Sequence, residues 1–220
     1  MEKRKMILGG YDTAEDGLWT LTGWKFSDPV HEQNFIKIPG SSITLDLSTA
    51  LTDGEPTYGA RTLTATFESS EGNRLERKAR IDAMVNQLDG RRIDITLPDD
   101  PDRYITGRIS VRVGYNDLAH ASVSIEATCD PWRYNDTETI VIITATATER
   151  TETLSNNGRK SVVPALEVTT GSVTLTFGEK TWTLPEGTYI LPDIYLTPGD
   201  HEVTYSGSGT ATLTYREAVL

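Results

Sequence analysis

The stretch Ile109-Ser110-Val111-Arg112-Val113-Gly114-Tyr115 alternates apolar and polar residues without interruption. Successive side chains of a strand point to opposite faces, so this period of two describes a half-buried β-strand. The same pattern recurs on both sides of it. Upstream, Ile43, Leu45 and Leu47 alternate with Thr44, Asp46 and Ser48, and Leu63, Ala65 and Phe67 alternate with Thr62, Thr64 and Thr66. Downstream follow Val123, Ile125 and Ala127, then Val173, Leu175 and Phe177, then Val203 and Tyr205, then Ala211, Leu213 and Tyr215. Threonine on the polar faces suits a pleated surface, where β-branched side chains pack well. Turn signals separate the runs: Asp53-Gly54, Asn156-Asn157-Gly158, Pro185-Glu186-Gly187, Pro198-Gly199-Asp200 and Ser206-Gly207-Ser208-Gly209. Many short strands between turn signals predict a mainly β fold, a sandwich or a barrel. The threonine-rich stretch Thr144 to Thr153, led by Ile140 to Ile143, reads as an exposed strand.

One segment departs from this period. Between residues 72 and 88 the apolar residues are Leu75, Ala79, Ile81, Met84, Val85 and Leu88, at helical spacings. The expectation is a single amphipathic helix over about 72–88, with Leu75, Ile81, Val85 and Leu88 packed on a sheet. Asp89-Gly90 ends it, because glycine tolerates the left-handed cap conformation. Strands surround the helix up to a boundary near Pro131 to Asp136. Beyond it the chain is β-rich and helix-free. This predicts two closely joined domains, 1–134 and 135–220, with no internal repeat.

Composition narrows the function. A chain of 220 residues can bury a core without a metal or disulfide staple. The formal net charge is −11 and the pI about 4.7, against the cationic surface that nucleic-acid binding needs. The basic-rich stretches, Glu2 to Lys5 and Arg74 to Arg80, are short, and the second reads as a solvated helix face whose arginines pair with Glu71, Glu76 or a neighbouring subunit. Cys129 is the only cysteine, which excludes an internal disulfide and fits a reducing cytoplasm. The apolar patch Met6 to Leu8 is too short for a secretion signal, and no run is long enough to span a bilayer. A soluble protein with no membrane partner and no specific nucleic acid is expected.

Nothing in the sequence assembles a catalytic or metal site, and no cofactor is expected. His31, His120 and His201 stand at no ligand spacing and read as loop residues. Cys129 has no base beside it and reads as a buried structural thiol. Asp99, Asp100 and Asp102, between Pro98 and Pro101, read first as a solvated turn and second as a calcium loop. There is no phosphate-binding glycine loop, no nucleophile elbow and no His-Glu-x-x-His. Trp19, Trp24, Trp132 and Trp182 read as packing residues before sugar platforms.

Several segments, taken in order, resemble the distal tail (Dit) protein family of siphophages. These are Gly10-Tyr11-Asp12 with Gly17-Leu18-Trp19-Thr20-Leu21, then Ile38-Pro39-Gly40 with Leu45-Asp46-Leu47-Ser48. Tyr58-Gly59-Ala60-Arg61-Thr62-Leu63 follows, leading through strand and helix to Leu88-Asp89-Gly90, and then Asp102-Arg103-Tyr104-Ile105-Thr106-Gly107. Cys129-Asp130-Pro131-Trp132-Arg133-Tyr134 is similar to the family's junction motif, so that Pro131, Trp132, Arg133 and Tyr134 are the candidate junction residues. Leu196 to His201, Gly207 to Gly209 and Ala211 to Arg216 complete the likeness, whereas the charged opening matches poorly. The resemblance implies an N-terminal ring-forming belt domain and a C-terminal galectin-like β-sandwich. It implies a homohexameric hub, at the tail tip of the virion and made in the bacterial host cytoplasm, that joins the tail tube to the baseplate. It further implies the major tail tube protein and a tail-associated, lysin-like tip protein as partners, with a receptor-binding or tape-measure protein beyond them. The net charge of −11 then predicts that the channel of such a ring is neutral to acidic. Two other readings stand beside it: a carbohydrate-binding sandwich for cell-wall glycans, and an accessory domain of a glycan hydrolase. Solution mass separates a closed ring from either.

Overall fold

The computed structural model describes residues 4–52 and 54–220. Glu2 and Lys3 of the charged opening, and Asp53 of the expected Asp53-Gly54 turn, lie outside the described residues. The chain divides into two compact units, Met1–Arg133 and Tyr134–Leu220, where the sequence reading sets the boundary between residues 134 and 135. Both are mainly β.

The first unit contains β1 (Ile7–Leu8), β2 (Tyr11–Asp12), β3 (Thr20–Phe26), β4 (Phe35–Lys37), β5 (Thr44–Asp46) and β6 (Arg61–Ser69). Helix α1 (Arg74–Leu88) comes next, followed by β7 (Arg92–Leu97), β8 (Asp100–Asn116) and β9 (Ala121–Asn135), whose last residues pass the boundary. The main sheet has the order β2-β1-β7-β8-β9-β6-β3. Its inner face carries Leu63, Phe67, Ile95, Ile105, Ile109, Val123 and Ile125, all buried with Trp19 in one core. The outer residues of β6, Thr62, Thr64 and Thr66, face Thr128, Glu126 and Ser124 of β9.

Helix α1 begins with a capping box. The Asn73 side chain accepts from the N–H groups of Leu75 and Glu76, and Glu76 accepts from the Asn73 N–H. Past its end, Gly90 takes φ +73, the left-handed conformation that glycine adopts without strain. The buried stripe is Arg77, Ile81, Met84 and Leu88, with Val85 half-buried against the same core. Leu75 does not pack there and is 81% exposed. At 3.6 residues per turn it lies about 180° around the helix from Met84. The fourth position of the stripe is Arg77, which a count of apolar residues passes over. Arg77 also does not pair with Glu71 or Glu76. It is 1% exposed and donates to the carbonyls of Gly72, Asp117 (2.9 Å) and Leu118 (3.0 Å). A buried guanidinium is tolerated because carbonyls replace its lost water. Arg80 donates to the Glu71 carbonyl, not to its carboxylate.

The second unit contains β10 (Thr139–Thr144), β11 (Arg150–Asn156), β12 (Ala165–Phe177), β13 (Lys180–Ile190), β14 (Gly199–Gly207), β15 (Thr210–Tyr215) and β16 (Ala218–Val219). Its six-stranded sheet has the order β10-β15-β12-β14-β11, with β13 also on β12. Residues 165–170 of β12 pair with β15, and residues 173–176 pair with β14. The register breaks between them at Gly171, whose φ is +68 and where a Cβ would meet the Ser208 carbonyl at 2.0 Å. Leu166, Val168, Leu175, Val203 and Leu213 form the core.

Three sequence expectations change here. Pro185-Glu186-Gly187 is not a turn but lies within β13, opposite the irregular part of β12. Only β12 pairs with β13, so a proline without an N–H is accommodated. Thr144 to Thr153 is not one strand. It holds the end of β10, a connection that buries Ala145, and the start of β11, and the two strands pair with β15 and β14 instead of each other. His201 lies in β14, its ring bonded to Thr197, whereas His31 and His120 are exposed.

Candidate functional site

Among the described residues no group of histidine, cysteine and carboxylate side chains could hold a metal. Asp100 is taken up by arginines, accepting from Arg133 at 2.7 Å and Arg103 at 3.2 Å. Cys129 is 1% exposed. Burial, and then the neighbouring Asp130 carboxylate, push its thiol up to about 11, which removes it as a nucleophile near neutral pH. Trp19 is fully buried, and Trp24 and Trp182 pack against the two cores. No helix of the described residues is long and apolar enough to cross a membrane.

The most unusual surface is an arm inserted between β3 and β6. At its root the β3–β6 ladder continues: Ser27 N–H donates to Thr62 O and Thr62 N–H to Ser27 Oγ. His31 then bridges to Tyr58, and Glu32 N–H donates to Thr57 O. Beyond the root, β4 and β5 form a two-stranded hairpin paired only with itself, with Phe35 opposite Asp46 and Ile36 opposite Leu45. All residues of both strands are exposed. This corrects the reading of Ile43, Leu45 and Leu47 as a half-buried strand: Ile43 is 68% and Leu45 46% exposed. The register sets Ile36, Ile38, Ile43 and Leu45 on one side of the ribbon. An isolated two-stranded ribbon is marginal in water, and a contiguous uncovered apolar face marks an interaction surface.

The arm root is anchored to the end of the unit. Arg61 is 6% exposed, lies 3.7 Å over the Phe26 ring, and donates to Ser27 O at 2.8 Å and Pro131 O at 3.4 Å. Tyr58 stacks obliquely on His31 at 4.6 Å and meets Trp132 edge-on. Of the expected junction residues, Pro131 and Trp132 therefore touch the arm root, and Arg133 binds Asp100. Tyr134, the first residue of the second unit, accepts from Lys160 Nζ at 2.6 Å. Of the expected helix residues, Ile81 and Leu88 lie in the core, Val85 at its margin and Leu75 in solvent. Sequence reasoning missed Arg61, Arg77 and the arm. The signal for the arm was available in Ile36 and Ile38, a Pro39-Gly40 turn, then Ile43 and Leu45.

The architecture is that of a solved distal tail protein of a phage, which this chain resembles at the level of fold. One such structure is the crystal structure of SPP1 Dit (gp 19.1), described as a paradigm of hub adsorption apparatus in phages infecting Gram-positive bacteria. It superposes with a TM-score of 0.68, covering 96% of this chain and 98% of that one at 16% sequence identity. No family model matches the sequence, and no curated protein matches it.

Proposed function

We propose that this chain is a non-enzymatic structural subunit of a phage tail, closing with copies of itself into a hexameric ring at the tail tip. The ring joins the tail tube to the baseplate. The major tail tube protein lies on one side and a lysin-like tip protein on the other, with a receptor-binding or tape-measure protein as a further neighbour. Subunits are made in the cytoplasm of the bacterial host. The first unit closes the ring, and the second is a galectin-like sandwich.

The observation that carries this reading is the fold shared with SPP1 Dit over almost the whole length of both chains. The uncovered arm supports it, because a subunit of a ring must present surface that is buried only on assembly. The glycan-binding alternative draws no support from Trp182, which packs against the core of the second unit. Light scattering and negative-stain imaging of the purified chain test the proposal. Sixfold rings are expected; a monomer at high concentration, with tail neighbours present, overturns it.

A further inference from the structure

We propose that Asn157 is a site of spontaneous covalent modification, and that conversion of its amide to a carboxylate loosens the C-terminal strand β16 from the rest of the second unit. Neither the site nor its effect depends on ring assembly. Asn157-Gly158 is the only Asn-Gly step in the sequence. Glycine has no Cβ to keep its backbone nitrogen away from the preceding side chain. The Gly158 nitrogen can therefore attack Asn157 Cγ. The N–Cγ bond forms, the Cγ–Nδ2 bond breaks, and Nδ2 leaves as ammonia with the proton that Gly158 gives up. A succinimide ring remains. Water opens it at either carbonyl, giving aspartate or, with one more carbon in the backbone, isoaspartate. The sum is amide plus water to carboxylic acid plus ammonia, with no oxidant or cofactor. Asn157 is exposed, and so open to that water.

The turn that carries this step and residues 217–219 hold each other. The Asn157 N–H and its Nδ2 both donate to Glu217 Oε1, at 3.1 and 3.2 Å. Asn135 Nδ2 donates to the other oxygen at 3.3 Å, and Glu217 is only 8% exposed. The Arg159 and Lys160 N–H groups donate to the Ala218 carbonyl at 2.8 and 3.2 Å. Gly158 is packed so closely there that a Cβ on it would meet Ala218 O at 2.6 Å. Deamidation exchanges the Nδ2 donor for an acceptor oxygen of like charge beside Glu217. Two carboxylates that close, and largely out of water, repel. Isoaspartate adds a backbone atom where Gly158 has no room to move. Both products weaken the seat of Ala218, and β16 with it. The preceding residue sets the rate. Asn156 is 1% exposed. Its Nδ2 donates to the carbonyls of Lys160 and Leu196, and its Oδ1 accepts from the Gly158 N–H at 3.0 Å. That bond holds the attacking nitrogen in place, so the folded chain keeps its amide longer than the unfolded one.

The test is ageing of the purified full-length chain at mildly alkaline pH, followed by peptide mass mapping and hydrogen exchange. Asn157 is expected to lose its amide before any other asparagine, with isoaspartate outnumbering aspartate, and several-fold faster in urea than in buffer. The aged protein should exchange faster than the fresh protein at the Arg159 and Lys160 amides, which face Ala218. Asn157→Asp should reproduce that acceleration without ageing, and the neutral Asn157→Ser should not. Glu217→Gln should reverse it in the Asn157→Asp background, because a glutamine can donate to the new carboxylate. Another asparagine reacting first would overturn the modification site, and equal rates with and without urea would overturn the brace. Equal acceleration in Asn157→Asp and Asn157→Ser, or none in the aged protein, would overturn the link to β16. Should Asn157→Asp fail to fold, the aged parent, which is folded when it reacts, supplies the exchange reading on its own.

Discussion

The Trp132 indole meets the Tyr58 ring edge-on, with centroids 5.4 Å apart and planes at 78°. One residue stands at the root of the arm and the other next to the last position of the first unit. Edge-to-face pairs of this kind contribute about 0.5–1.5 kcal/mol beyond area burial. Trp132 is only half-buried, so Trp132→Ala should cost roughly 1–3 kcal/mol, less than the roughly 3–5 of a fully buried aromatic. Denaturant unfolding of Trp132→Ala, Tyr58→Ala and the double variant measures the coupling. Additive costs would show that the pair does not interact.

The Tyr58 hydroxyl is buried and finds no hydrogen-bond partner. An unsatisfied buried hydroxyl destabilises the folded state. Tyr58→Phe should therefore leave stability unchanged or raise it by up to about 1 kcal/mol, with the ring contacts preserved. A drop in melting temperature would mean that the hydroxyl is satisfied in solution.

Arg77 holds three carbonyls together. Arg77→Met keeps the packing of the stem and strands those acceptors, at about 1–3 kcal/mol for each buried acceptor left unsatisfied. Hydrogen exchange should accelerate at the start of α1 and in residues 117–120 together. Acceleration at only one of them would break the link between them.

The faces of α1 separate two further variants. Leu88→Asp buries a charge in the core and should abolish soluble expression. Leu75→Asp should change monomer stability by no more than about 0.5 kcal/mol, as surface substitutions do. Chemical denaturation of Leu75→Asp, beside an expression test of Leu88→Asp, checks both.

The Cys129 thiol ionises near 11 in the folded chain, against 9.0 ordinarily. The folded state thus disfavours the thiolate. Its stabilising effect is complete below pH 9 and is lost as pH rises through 9 towards 11. The melting temperature of the parent should fall more steeply over that window than that of Cys129→Ala. Parallel curves would show that the thiol does not feel its burial.

These variants also mark what the sequence made legible. Alternation located the core strands β6, β8, β9, β12, β14 and β15, because one face of each is buried and the period survives; β13 was hidden by the turn signal Pro185-Glu186-Gly187 inside it. The helix was legible for the same reason at its own period. Leu75 misled because hydrophobicity says which side chains tolerate a core, not which way the cap turns them. Arg77 was invisible because its partners are carbonyls, which every residue carries. The arm misled most. Its alternation is that of a half-buried strand, but the hairpin pairs only with itself and none of the described residues covers its apolar face, which alternation alone does not reveal.

The strand pairing of the second unit has a consequence for the order in which that unit forms. Strands β12 and β13 close on each other through the short connection Gly178-Glu179, a local event on the microsecond scale. β10 and β11 have no such neighbour in sequence: Thr139 waits for Tyr215, and Arg150 for Tyr205. Closing those long loops is slow, because chain entropy is lost before any contact compensates it. During synthesis, the strands that leave the ribosome first in this unit therefore find their partners last. Until then the aliphatic run Ile140 to Ile143 stays open to any passing strand. The interval between emergence and pairing, rather than the finished sandwich, is where this unit is most exposed to aggregation and to chaperones.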